Sequence, residues 1–196
     1  MKLKFEYTVD SEINRVKSTL EKKGFFKKIE YRLGFPRGFN LDSTNFTNLE
    51  NQIKNEFALD KIDVIKKDIA DKWAINNKLI NDFIDSTPYD KPETLDIFLT
   101  QYGVGGSYNP PNRIIINVYF ATENKFQTVV HELVHLLIEK PVIQKFKIEH
   151  EPKEALVDYI LINNKYIKKI LPDYKAQQRF IDKLPNKELL DKLTWV

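Results

Sequence analysis

The sequence predicts an α+β fold: a small, mostly antiparallel sheet packed over two helices, with N-terminal elements extending or covering that core. Three observations carry the prediction. Residues 94–99 and 113–120 alternate or run apolar as strands do. Residues 126–137 place Phe126, Val129, Val130, Leu133, Leu136 and Leu137 on one side of a helix at about 100° per residue. Pro152 suits the first turn of a second helix soon after.

Taken in order, residues 2–9 read as a strand and residues 11–23 as a helix with Gly24 as its C-cap. Residues 25–33 read as a second strand whose Phe residues face the core. A turn-rich loop over 34–40 follows, and Thr47 with Glu50 forms a capping box opening a helix near 47–58. Ile62, Ile65, Ile69, Trp73, Leu79, Ile80 and Phe83 recur mostly at three and four, predicting a helix over about 60–85 that ends before Pro88. The glycine-rich stretch 102–111 lacks the strand–loop–helix setting and the lysine of a phosphate loop, so it reads as a hairpin connection flanking a cleft. Residues 174–184 and 187–193 read as short helices set off by Pro172 and Pro185. This divides the chain into an N-terminal α/β extension, 1–92, packing on a core of 93–196.

The length of 196 residues and 42% hydrophobic content suffice for one domain with a sizeable core. No run of 18 apolar residues exists, so no membrane partner is expected. The N-terminus carries Lys2, Lys4 and Glu6 where a signal peptide needs an apolar stretch, which points to a cytoplasmic protein. The absence of Cys excludes disulfides, thiolate metal sites and cysteine nucleophiles together. Net charge is +3, yet residues 1–40 hold ten Lys/Arg against five Asp/Glu. Lys22, Lys23, Phe25, Phe26, Lys27 and Lys28 mix basic and aromatic side chains as phosphate- or base-binding segments do. A solvated helix end explains the same letters, so no nucleic-acid partner is expected.

Residues 131–135 read His-Glu-Leu-Val-His. Four-residue spacing stands both imidazoles on one helical face, one turn apart, where they can grip a single ion, with Glu132 beside them toward a bound water. The apolar side anchors the helix and the polar side carries His131, Glu132 and His135. Zinc is the expected cofactor, and a catalytic zinc needs three protein ligands plus an open position. The elongated metzincin pattern fails, since Ile138 and Pro141 stand where it needs Gly and His. Downstream, Glu154 and Asp158 lie one turn apart on the helix begun near Pro152. Glu154 suits the third ligand, and Asp158 suits an acceptor for the free N–H of a ligand histidine. His150 and Asp158 are rival third ligands.

The motif followed about twenty residues later by E-x-x-x-D resembles the gluzincins, the thermolysin-like zinc peptidases, and most of all their small single-domain members, the minigluzincins. The resemblance covers residues 94 to about 170. It implies His131, His135 and Glu154 as ligands, Glu132 as general base, Asp158 as partner of His131, and an edge strand ahead of the zinc helix that holds extended substrate. The resemblance does not extend to the larger C-terminal subdomain of thermolysin-like enzymes or to its transition-state histidine, so it assigns no oxyanion stabiliser. Tyr108, Tyr159, Tyr166, His150 and Arg179 are the candidates for oxyanion or substrate contacts. The expected activity is hydrolysis of a peptide or protein substrate. The alternatives are a catalytically silent metallopeptidase-like binding or sensor module, self-occluded by its C-terminal helices, and a nucleic-acid-binding protein.

Overall fold

A computed structural model of the protein describes residues 1–39, 46, 48–120, 124–185, 187–191, 193 and 195. The chain begins with strand β1 (Lys2–Glu6) and helix α1 (Val9–Glu21). A capping box opens α1: the Ser11 N–H donates to the Thr8 hydroxyl oxygen and the Thr8 N–H to the Ser11 hydroxyl oxygen, each at 3.0 Å.

The second strand expected over 25–33 is instead the short helix α2 (Lys23–Lys28), and Gly24 lies inside it rather than capping α1. A strand needs a neighbouring edge, and this segment closes its backbone locally. Phe26 N–H donates to Lys22 O and Ile29 N–H to Phe25 O, with no α2 residue buried. Glu30, at φ 56°, ends the helix in a Schellman-type turn, with the Tyr31 N–H returning to Phe26 O.

Helix α3 (Leu49–Glu56) follows. The expected cap residue Thr47 lies outside the described residues. Leu49 and Ile53 of α3 meet Val16 of α1 and Tyr102 in a small second core. Helix α4 (Leu59–Ser86) then runs 28 residues and buries Ile62, Ile69, Trp73, Ile80, Phe83 and Ile84, in line with its apolar periodicity.

The sheet departs from the sequence expectation in direction. Strands β2 (Thr94–Thr100), β3 (Gly106–Asn109) and β4 (Arg113–Asn117) join β1 in the order β1-β2-β4-β3. The first two pairings are parallel and only β3 with β4 is antiparallel, so the sheet is mixed rather than mostly antiparallel. The reason lies in the stretch taken for a plain connection: it contains β3. That extra reversal returns β4 alongside β2 in the same direction, and α1 to α4 supply the long crossover that parallel β1 and β2 require.

Helix α5 (Lys125–Ile138) packs beneath this sheet and is buried over most of its length. A π-helical segment (Glu139–Gln144) and helix α6 (His150–Asn163) follow. Leu95, Ile97, Leu99, Ile114 and Ile116 from the strands share one core with α4, α5 and α6. Short helix α7 (Ile167–Ile170), a 3-10 turn (Gln178–Lys183) and α8 (Lys187–Asp191) complete the chain, replacing the α-helix expected over 174–184. Among the described residues no helix is long and apolar enough to cross a membrane.

Candidate metal centre

Asn124 caps α5 by accepting the Gln127 N–H at 3.3 Å, and the helix then presents His131, Glu132 and His135 toward α6 and the sheet edge. Glu154 comes from the second turn of α6. The Nε2 atoms of His131 and His135 are 3.1 Å apart, and Glu154 Oε2 stands 3.5 Å and 3.4 Å from them. Three donors held by one tetrahedral ion at about 2.0–2.2 Å stand roughly 3.3–3.6 Å from one another, so the residues present fit a metal. Among the described residues this is the group of His and acidic side chains able to hold an ion.

The electrostatics suit a cation. Burial alone would push the Glu154 carboxyl up, yet His135 and His131 hold it well below the ordinary carboxylate range. Burial pushes His135 down to about 4 against the pull of Glu154, leaving a neutral imidazole with a free lone pair at neutral pH. Burial also raises Glu132 to about 7, opposed by His131, Lys153 and Arg15.

Glu132 is 7% exposed and faces β3. A Cβ on Gly106 would fall 2.3 Å from Glu132 Oε1 and 2.8 Å from Thr128 Cγ2, so the missing side chain makes room for the carboxylate. The cleft here has about 470 Å³, with Val104 to Gly106 on one wall and Tyr31, Arg32, Phe120, Tyr174 and Gln177 among its other lining residues. Asn117, fully buried, accepts the Tyr119 and Phe120 N–H groups at 2.9 and 3.0 Å and sets that corner.

Asp158 does not meet His131 directly; its Oδ1 is 4.0 Å from His131 Nδ1. The Tyr174 hydroxyl stands between them, 3.3 Å from Nδ1 and donating a short hydrogen bond to Asp158 Oδ1. Burial and Asp158 push the Tyr174 phenol well up, so it keeps its proton. Sequence reasoning missed Tyr174, because no spacing rule links a tyrosine to a histidine 43 residues earlier.

The other predicted contacts scatter. His150 lies 3.7 Å from Glu154 Oε1, the oxygen turned away from the donor triangle, and its Nε2 is 3.1 Å from the Tyr31 hydroxyl. It sits among the rings of Phe25, Tyr31 and Phe180, of which Tyr31 lines the cleft. Tyr108 stacks its ring on His135 with centroids 4.8 Å apart, while its hydroxyl donates to Glu139 at 2.5 Å and accepts from Lys153 at 3.2 Å. Tyr159 and Tyr166 do not line the cleft, and Tyr166 packs against the main core. The side chain of Arg179 lies outside the described residues.

No protein-family model, curated protein or solved structure matches the chain. The site therefore has to be read from its own residues. One of them, Arg15 of α1, also escaped the sequence reading. Its Nε donates to Tyr102 O at 3.5 Å across Gly103, its Nη2 is buried with no hydrogen-bond partner among the described residues, and its charge faces Glu132.

Proposed function

We propose that the protein is a zinc-dependent peptide hydrolase resembling the gluzincins. His131, His135 and Glu154 hold the metal, and Glu132 is the general base. The observation that carries this reading is a carboxylate set immediately beside a three-donor triangle of tetrahedral size, at the wall of an open cleft. A purely structural metal site needs no such base.

Bound zinc would supply a Lewis acid for the scissile carbonyl and lower the pKa of a water. The chain's own residues supply the rest. Glu132, a buried carboxyl beside the donor triangle, would take a proton from that water and return it to the leaving amine. Strand β3 is an edge of the sheet beside Glu132, and its backbone suits antiparallel pairing with an extended peptide. Substituting Gly106 would fill the gap in which Glu132 works.

Glu132→Gln tests the reading. It should retain about one equivalent of zinc while losing about 10²–10⁴-fold in cleavage of a broad peptide library. If zinc-loaded wild type cleaves no more than Glu132→Gln, the hydrolase reading fails and a metal-bearing binding module takes its place.

A further inference from the structure

We propose that the C-terminal segment completes the metal site, with the Tyr174 hydroxyl, backed by Asp158, positioning the His131 ring for the ion. This rests on the metal-site reading above. His131 turns Nε2 toward the other two donors, so Nδ1 faces away. An imidazole that ligates through Nε2 carries its proton on Nδ1, and the ring is fixed by whatever accepts that proton.

Asp158, at 4.0 Å, is too far to accept it well. The Tyr174 hydroxyl, at 3.3 Å, accepts from Nδ1–H and passes its own proton's hydrogen bond to Asp158 Oδ1. The second oxygen, Oδ2, accepts the Gln177 backbone N–H at 2.7 Å. Both carboxylate oxygens of Asp158 are thus held by one segment, which the buried ring of Phe180 pins to the fold.

The two ligand histidines differ in this respect. His135 Nδ1 is buried with no hydrogen-bond partner among the described residues, and its ring is held by stacking on Tyr108. Among the described residues, orientation of a ligand ring through an Nδ1 hydrogen bond therefore falls on His131. A C-terminal segment that acted only as an inhibitory cover would have no reason to spend a tyrosine hydroxyl behind a ligand.

Tyr174→Phe in the full chain removes one oxygen and tests the relay. Zinc affinity, measured by competition with a chromophoric chelator, should weaken about 10–100-fold, while the metal-free protein still unfolds in one cooperative transition. Asp158→Asn should weaken it similarly, and the double variant should fall no further than the worse single one, as members of one chain of hydrogen bonds do. The visible spectrum of the cobalt-loaded protein should shift in Tyr174→Phe. Gln177→Pro is an independent probe: Gln177 has φ −69°, which proline accepts, so the change deletes the N–H and should also weaken zinc binding. Wild-type zinc affinity in Tyr174→Phe, or additive losses in the double variant, overturns the relay and leaves the metal site standing. Failure of wild type to bind zinc overturns the site itself and the relay with it.

Discussion

Glu12 offers the sharpest quantitative test of how the fold holds its charges. This carboxylate of α1 is fully buried, accepts the Gln101 N–H at 2.8 Å and takes the Thr100 hydroxyl's hydrogen bond. Burial still wins over these partners and over Arg15, pushing the group from 4.5 to about 7. Between those values the folded chain keeps a proton that the unfolded chain has released, so stability falls as pH rises through the window and is level on either side. A difference of about 2.5 units at about 1.36 kcal/mol per unit gives a loss on the order of 3 kcal/mol. Glu12→Gln keeps a carbonyl acceptor for Gln101 but does not titrate. Urea unfolding of both proteins at several pH values from 4.5 to 8 should show the variant gaining on wild type by about that amount. Titration of groups that do not interact with Glu12 is common to both proteins and cancels in the difference. A stability difference constant to within about 0.5 kcal/mol across the window would refute the reasoning.

Gly106→Ala should displace Glu132 or lift β3, lowering kcat/KM by about 10²-fold while zinc stays bound; wild-type turnover would mean the carboxylate does not work in that gap. His150→Ala should leave zinc affinity unchanged in chelator competition, because His150 faces the outer oxygen of Glu154; a ligand-sized loss would place it on the metal. Phe83→Ala, in the middle of the main core, should cost about 3–5 kcal/mol in urea unfolding without changing metal stoichiometry, and a smaller cost would mean the site collapses around the gap.

Spacing along the chain made part of this molecule legible. Periods of two and 3.6 placed β2, β4, α4 and α5, and the four-residue interval placed His131 and His135 on one face. Glu154, one turn before Asp158, was also readable, since both lie on one helix face. What escaped depends on contacts between distant segments. Strand direction is set by which edges meet, and no letter in 102–111 announces that Gly106–Asn109 pairs with β4. Phe25 and Phe26 looked like a buried strand because aromatic residues favour sheets, but Phe25 remains 50% exposed on a short helix. Tyr174 and Arg15 approach the site from either end of the chain, so nothing near the histidines betrays them.

The two rims of the sheet are unlike. At one, β1 sets Lys2 and Lys4 outward, and lysines on an outermost strand discourage a second molecule from zipping on. Beneath β1 lies β2, whose sequence Thr-Leu-Asp-Ile-Phe-Leu-Thr would be an adhesive surface if bared. The opening residues thus shield the protein from its own kind. The opposite rim, β3, consists of Gly106, Ser107, Tyr108 and Asn109, with neither lysine nor proline to repel a visiting strand, and it is the rim beside Glu132. The lysine-guarded edge and the unguarded one thus lie on opposite sides of one four-stranded sheet.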